Sequence, residues 1–233
     1  YKWGFIVSSL YLIAVGYLLA SEGSAAQEKV AALSGAAVAS VTISAFIIQL
    51  KDPIDGDKSL VSVASTVIGF LYIAFCFGFL ARLCFITPSI DGGVPAKWLV
   101  IWLVAVTKFT DMGAYITGSL IGKNKMIPHI SPGKTWEGFF GALAWAQLAA
   151  CGLYALLPTE LAVLGGWHHV IILGFILALL AVVGDLAESI IKRCLNAKDS
   201  GQTLPGIGGA LDLIDSICFT APALYFYIIW VIN

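Results

Sequence analysis

Long apolar runs separated by short polar links fill the chain from one end to the other. Each run can cross a hydrocarbon core about 30 Å thick as a helix rising about 1.5 Å per residue. The alternating period-2 pattern of membrane β-strands is absent, and backbone groups in lipid must be paired within their own helix. The pattern therefore predicts an all-α fold, a polytopic integral membrane helical bundle of about seven transmembrane helices. The predicted helices span residues 3–20, 30–50, 60–86, 97–121, 136–157, 168–192 and 210–232.

The composition supports this class of protein. Of 233 residues, 59% are hydrophobic and only 12% are charged, and the mean hydropathy is +0.92. Soluble domains average about 45–50% apolar and about 25% charged residues. The net charge of −1 gives no reason to expect a nucleic-acid partner. Because the first residue is Tyr1 and not Met, we expect the chain to be N-terminally truncated.

The basic residues predict how the helices are oriented. They concentrate in two links, 123–134 and 192–198, whereas the link between them, 158–167, contains no Lys or Arg. Two helices separate the basic links, so both lie on the same side of the membrane. Basic links mark the cytoplasmic side. We therefore expect a protein of a bacterial-type inner membrane with these links in the cytoplasm.

Carboxylates inside apolar runs are the first candidate functional groups. An Asp at membrane depth costs roughly 2.5–3.5 kcal/mol on insertion scales, so such residues tend to mark function. Asp185 shares a helix face with Lys192, and Asp212 shares one with Asp215. A basic, glycine-bearing link, 198–209, joins the two faces. This arrangement predicts a site for a divalent cation and a phosphate-rich ligand.

Another carboxylate, Asp111, lies well inside the fourth apolar run, three residues after Lys108. One interpretation gives Asp111 a role in the functional site. The other is an ion pair between Lys108 and Asp111 that only locks the bundle together. The sequence leaves both open.

The segment before the fifth predicted helix is a candidate phosphate site. Pro128, Pro132 and Gly133 prevent a continuous helix, so we expect an ordered loop at the membrane interface. A helix then begins near residues 134–135. Free N–H groups at a helix start, together with Lys134, suit a phosphate. A P-loop is excluded because its first glycine is replaced by Pro128 and no strand is predicted before it.

A spaced polar motif extends through the last third of the chain. It comprises Ser189, Lys192, Arg193, Lys198, Asp199, Gly201, Leu204, Pro205, Gly208, Gly209, Asp212 and Asp215. Two further blocks precede it, Asp111-x-Gly-Ala-Tyr115 and Ser131-Pro-Gly-Lys-Thr-Trp-Glu-Gly138. With these motifs, residues 97–233 resemble the phosphatidate cytidylyltransferases, or CDP-diacylglycerol synthases. Ile207 and Leu213 depart from the pattern, where the family has His and Arg.

The resemblance implies a reaction of CTP with phosphatidate that gives CDP-diacylglycerol and pyrophosphate. It also implies Mg²⁺ as cofactor and leaves a second, monovalent cation open. The expected metal ligands are Asp185, Asp212 and Asp215. The expected catalytic residues are Asp185, Asp212, Lys192 and Lys198. The expected substrate-binding residues are Lys134, Ser131, Thr135, Arg193, Asp111, Asp199, Gly208 and Gly209.

The same resemblance predicts two parts of the chain. Residues 1–96 would be a transmembrane scaffold, and residues 97–233 would carry catalysis. The expected partners are CTP, phosphatidate and the surrounding membrane lipid, and a homodimer is left open. Two other functions stay open: a related CTP-dependent kinase of polyprenols or lipids, and a cation-coupled transporter, which also places acids in broken helices.

Overall fold

A computed structural model describes residues 2–86, 97–194 and 210–232, and for residues 2, 24 and 210–213 it describes only the backbone. The chain forms two compact units, Tyr1–Thr87 and Pro88–Asn233. The two parts predicted from the sequence, 1–96 and 97–233, divide between residues 96 and 97. The scaffold and catalytic roles assigned to the two parts remain predictions.

The described residues of unit 1 form three membrane-length helices. The third is continuous over Gly56–Cys84 but contains a π-helical segment. The elements of unit 1 are α1 (Lys2–Glu22), a 3₁₀ turn (Gly23–Ala26), α2 (Gln27–Gln49), α3 (Gly56–Gly69), the π segment (Phe70–Phe75) and α4 (Cys76–Cys84).

A buried polar contact joins the three helices of unit 1. The Arg82 guanidinium donates to the Ser34 hydroxyl over 3.0 Å, and the Tyr11 hydroxyl lies 2.9 Å from the same oxygen. The guanidinium also lies 4.9 Å from the centre of the Phe79 ring. Polar contacts of this kind hold helices together where apolar burial alone provides little driving force.

Unit 2 contains four membrane-length helices and a small hairpin. Its elements are α5 (Lys97–Ile121), β1 (Lys125–Ile127), β2 (Ser131–Thr135), α6 (Trp136–Leu156), a 3₁₀ turn (Ala162–Leu164), α7 (Trp167–Cys194), α8 (Ala210–Tyr227) and a π-helical end (Ile228–Ile232). Within the described ranges, seven helices are long and apolar enough to cross a membrane. The predicted all-α, polytopic membrane fold is confirmed.

Small residues bring α5 and α6 into close contact. A Cβ atom at Gly113 would lie 2.5 Å from the Trp145 Cβ, and one at Gly138 would lie 2.8 Å from the Ala114 carbonyl oxygen. Glycines allow membrane helices to approach closely enough for extensive van der Waals contact. This tight pair fixes one wall of the site described below.

Gly141→Ala on α6 is expected to destabilise unit 2. The added Cβ would overlap the Thr117 side chain on α5, and overpacking of this kind costs about 1–3 kcal/mol. Gly152→Ala on the same helix is the matched control, since nothing lies within 4 Å of its added Cβ. Thermal unfolding in detergent should give a lower midpoint for Gly141→Ala and an unchanged or higher one for Gly152→Ala. Equal midpoints for the two variants would contradict the packing described here.

Candidate active site

Three carboxyl groups from two helices meet inside unit 2. Asp185 and Glu188 come from α7, and Asp215 comes from α8. One carboxylate oxygen from each lies within 4.8 Å of the other two. Glu188 and Asp215 are buried, with 2% and 5% of their surface exposed. Carboxylates at this spacing repel one another, so the cluster requires positive charge beside it.

The close approach of α7 and α8 depends on Gly184, which directly precedes Asp185. A Cβ atom at this position would lie 2.9 Å from the Ser216 Cα and 3.1 Å from the Asp215 carbonyl oxygen. Backbone atoms of a packed helix cannot move aside cheaply. The missing side chain at Gly184 therefore sets the spacing that brings Asp185 and Asp215 together.

Two lysines supply positive charge to the acidic cluster. The Lys134 Nζ lies 2.7 Å from an Asp185 oxygen, and the Lys192 Nζ lies 2.9 Å from a Glu188 oxygen. Both lysine side chains are only 20% exposed. Partial burial makes these pairs stronger than surface ion pairs because the local dielectric is lower.

Asp111 on α5 lies at the edge of the same cluster. It forms the expected ion pair with Lys108, at 3.2 Å, but it also lines the pocket described below, so the ion pair is not its only contact. Asp111 also accepts a hydrogen bond from the Ser216 hydroxyl over 3.4 Å. The Ser216 amide in turn donates to an Asp215 carboxylate oxygen over 2.6 Å. Asp111 thus belongs to the polar surroundings of the acidic cluster as well as to an ion pair.

The segment that carries Lys134 is a β-hairpin. The strands pair antiparallel, with Lys125 opposite Thr135 and Ile127 opposite Ser131. The prediction of a loop is wrong in this respect. Pro132 lies inside β2, where its missing N–H is tolerated because both strands of a two-stranded ribbon are edge strands.

Thr135 ends the hairpin and begins α6. Its buried side-chain oxygen accepts a hydrogen bond from the Gly138 amide over 3.1 Å, which makes it the N-cap of the helix. The helix itself begins at Trp136, which is the start of the predicted run 136–157 and directly follows the start near 134–135 expected from the loop. This cap fixes the direction in which β2 enters the helix and therefore the position of Lys134.

A pocket of about 370 Å³ lies beside the acidic cluster. Its wall combines charged and hydroxyl groups with aromatic and aliphatic side chains, as expected for a ligand with a polar and an apolar part. It is lined by Thr110, Asp111, Ala114, Tyr115, Gly118, Ser119, Met126, Ser131, Gly133, Lys134, Thr135, Gly138, Phe139, Val182 and Asp185.

Residues 192 and 193, which belong to one basic link, lie at the same end of unit 2 as the hairpin that carries the other, as the alternation of helices predicts. The exposed Arg193, at the end of α7, donates from Nε to the Ile130 carbonyl oxygen in the hairpin turn over 3.5 Å. His168 and His169 lie at the other end of α7. The Nδ1 atom of His169 is 2.9 Å from the Tyr227 hydroxyl.

The structure brings together six of the residues selected from the sequence. Asp111, Ser131, Lys134, Thr135 and Asp185 line the pocket, and Asp215 joins Asp185 in the acidic cluster. Lys192 reaches the cluster through its ion pair with Glu188. The side chain of Asp212 lies outside the described residues, as do Lys198, Asp199, Gly208 and Gly209.

Glu188 is the residue that the sequence prediction missed. It follows Asp185 by three positions, so both project from the same face of α7. The helical-spacing argument that selected Asp212 with Asp215 would have selected this pair too.

The donor set of the cluster fits a hard divalent cation. All three donors are carboxylate oxygens, which suit Mg²⁺ or Ca²⁺, and no thiolate or imidazole takes part. Among the described residues, this is the one group of three or more acidic, His or Cys side chains close enough to bind a shared ion. Asp185, Glu188 and Asp215 are therefore the residues of the described chain that could hold such an ion.

The fold and site define a polytopic membrane protein in which acidic and basic side chains meet beside a pocket near one end of a helical bundle. Comparison with known proteins gives the family. The sequence profile of the cytidylyltransferase family matches residues 2–231. The chain therefore belongs to this family, and the resemblance seen in its motifs is confirmed.

Two of three individual relatives carry names that agree with this assignment, and the third is uncharacterized. The chain is 36% identical over 176 residues to the uncharacterized protein YnbB of Escherichia coli, covering 74% of this chain and 56% of that protein. It is 43% identical over 128 residues to a phosphatidate cytidylyltransferase of Brucella suis, covering 55% and 46% of the two chains. It is 38% identical over 172 residues to a phosphatidate cytidylyltransferase of Staphylococcus haemolyticus, covering 73% and 58%. The chain thus spans about half the length of these relatives.

Proposed function

We propose that this protein transfers the cytidylyl group of CTP to phosphatidate, giving CDP-diacylglycerol and pyrophosphate. The family match and the names of the relatives support the reaction class. The observation that carries the proposal is the meeting of Asp185, Glu188 and Asp215 with Lys134 beside a mixed polar and apolar pocket. We also propose that residues 97–233 carry catalysis, since all of these side chains belong to unit 2.

The reaction is a substitution at phosphorus between two anions. A phosphate oxygen of phosphatidate forms a bond to the α-phosphorus of CTP. The bond from that phosphorus to the oxygen bridging the β-phosphate breaks, and pyrophosphate leaves. No covalent enzyme intermediate is required, because the lipid phosphate is itself the nucleophile. The protein has to neutralise charge and align the two phosphates.

Asp185, Glu188 and Asp215 would hold the divalent ion, with Asp212 as a further ligand proposed from its place in the motif. Mg²⁺ at this position would neutralise charge on the phosphates. The protein's own contribution is to hold the three carboxylates together although two of them, Glu188 and Asp215, are buried. Lys192 balances the charge of Glu188. The second, monovalent cation that the resemblance leaves open has no separate support in the described residues.

Lys134 is the proposed phosphate-binding residue of the pocket. Its ammonium group lies against Asp185, so a phosphate bound there would be close to both the lysine and the acidic cluster. Ser131 would provide a hydroxyl from the same strand. Thr135 lines the pocket, but its oxygen already caps α6, so we propose that it shapes the site more than it binds substrate. The polar wall would take the phosphates, and the apolar wall would take lipid.

At this depth the acidic cluster would be accessible to CTP from water and to phosphatidate from lipid. Asp185 lies roughly 14 Å from the end of α7 at about 1.5 Å per residue. A phosphate headgroup could reach this level while its acyl chains remain in the membrane. We propose that this end of unit 2 faces the cytoplasm, where CTP is found, because the basic segments lie here.

The proposed activity is tested with the chain purified in detergent. Radiolabelled CTP, incubated with Mg²⁺ and unlabelled phosphatidate, should yield labelled CDP-diacylglycerol. Phosphatidate should be consumed in an amount equal to the product formed. Formation of CDP and a phosphorylated alcohol from polyprenol or diacylglycerol would instead identify a kinase. A folded chain that forms neither product, but takes up cations when reconstituted in vesicles, would identify a transporter.

Gly184→Ala is expected to weaken divalent-ion activation. The added Cβ would push α8 away and separate Asp185 from Asp215. We expect the Mg²⁺ concentration for half-maximal activity to rise about tenfold, which corresponds to about 1.4 kcal/mol. Gly152→Ala, in open space on α6, should leave it unchanged. The same Mg²⁺ dependence in Gly184→Ala and wild type would show that helix spacing does not set ion affinity.

A further inference from the structure

Glu137 lies outside the acidic cluster. Among the other carboxylates of the described residues, it accepts the largest number of hydrogen bonds. It lies in the first turn of α6. Its carboxylate accepts from the Lys123 amide over 3.2 Å, from the Asn124 amide over 3.2 Å and from the Asn124 side-chain Nδ2 over 2.7 Å. One side chain on α6 thus binds two consecutive residues of the link that leaves α5.

These contacts continue into the hairpin that carries Lys134. The Trp136 amide donates to the Asn124 carbonyl oxygen over 2.9 Å, and the next pair in the ladder is Lys125 with Thr135. The base of the hairpin is therefore closed by backbone hydrogen bonds on one side and by Glu137 on the other. Lys134 directly precedes Thr135, whose pairing with Lys125 is part of this closed base.

Glu137 acts at a distance from the pocket. It is not among the residues that line the pocket, and its four contacts all go to residues 123 and 124. Its negative charge matters for two reasons. Both of its oxygens accept hydrogen bonds, and the N-terminal turn of a helix favours an anion. A glutamine would replace one of the two acceptor oxygens with a donor.

We propose that Glu137 is a positioning residue that fixes the base of the hairpin so that Lys134 reaches Asp185 and the reacting phosphates. This inference rests on the proposed function for its kinetic consequence. Its structural consequence, an ordered hairpin, can be measured whether or not the chain is active.

The structural test compares Glu137→Gln with Glu160→Gln by hydrogen–deuterium exchange in detergent. Glu160 is a suitable control because it also accepts a side-chain hydrogen bond, from Thr159 over 2.7 Å, but lies in the link between α6 and α7. We expect Glu137→Gln to speed exchange about tenfold across residues 123–135, the scale of one charge-assisted hydrogen bond. Glu160→Gln should leave this segment unchanged. Unchanged exchange in Glu137→Gln, or faster exchange only at residues 123 and 124, would overturn the proposal.

The kinetic test separates positioning from general stability. Glu137→Gln should lower kcat/KM about tenfold. In the Lys134→Met background the same substitution should cause no further loss, because the group that it positions is gone. Additive losses in the Lys134→Met background would show that Glu137 acts elsewhere.

The two proposals fail in different ways. A chain that forms no CDP-diacylglycerol refutes the proposed function, and the exchange measurement then decides the role of Glu137 alone. An active chain whose kcat/KM is unchanged by Glu137→Gln refutes the positioning role and leaves the proposed function standing.

Discussion

Asp185→Asn is expected to lower kcat for cytidylyl transfer by about a thousandfold or more, the scale seen when a group that stabilises the transition state is removed. Asp185 is shared by the acidic cluster, the pocket wall and the ion pair with Lys134. Asparagine has nearly the same shape, so the helices should stay packed. It lacks the charge that a divalent ion requires. Initial rates over a range of Mg²⁺ concentrations, with thermal midpoints as a check on folding, provide the measurement.

The matched control for this variant is Asp55→Asn in unit 1. Asp55 also forms a 2.7 Å ion pair with a lysine, Lys58, but both side chains are largely exposed, at 69% and 83%. Exposed pairs contribute little, so the control should retain its rate and its thermal midpoint. If Asp185→Asn kept more than a tenth of the wild-type kcat at saturating Mg²⁺, Asp185 could not be a ligand of a required ion.

Lys134→Met is expected to lower kcat/KM about a hundredfold, within the range for loss of one charge-stabilising donor. Methionine keeps the length of the side chain and removes its charge. Lys134 is the residue of the hairpin that contacts the acidic cluster, and it lies within the pocket wall. The variant should have a lower kcat, because negative charge builds up as the pyrophosphate leaves. It should also have a higher KM for either CTP or phosphatidate. Lys134→Arg should retain part of the activity.

Lys58→Met is the control for the lysine variant, since it removes an ion pair of the same length from the surface of unit 1. Its kinetic constants should match those of the wild type. A Lys134→Met protein with wild-type kcat/KM for both CTP and phosphatidate would show that the phosphates bind elsewhere. A change only in KM, with kcat unchanged, would show that Lys134 binds the ground state and the transition state equally and does not accelerate the chemical step.

The helices could be predicted from the sequence because hydropathy is a property of each segment by itself. The predicted run at 97–121 coincides with α5 (Lys97–Ile121), and that at 136–157 ends within one residue of α6 (Trp136–Leu156). The hairpin could not be predicted in the same way. Two prolines indicate a break in the helix, but they do not show that the residues on either side pair as strands.

Part of the site was also readable from the sequence. Asp185 and Asp215 stand out because a carboxylate inside an apolar run is costly. Their proximity depends on Gly184, which in the sequence is one glycine among 24. The contact of Lys134 with Asp185 depends on how the hairpin packs against α7, and no local pattern reports such a long-range pair. Glu188 was within reach of the spacing argument too, because it follows Asp185 by three positions on the same helix face.

Mn²⁺ binding followed by electron paramagnetic resonance is the most direct test of the central claim, that Asp185, Glu188 and Asp215 bind one divalent ion together. The purified wild-type chain should bind the ion without CTP or lipid. Asp185→Asn, Glu188→Gln and Asp215→Asn should each weaken Mn²⁺ binding by about tenfold or more, since each removes one charged ligand. Asp55→Asn should have no effect. Wild-type Mn²⁺ affinity in all three variants of the cluster would contradict the account.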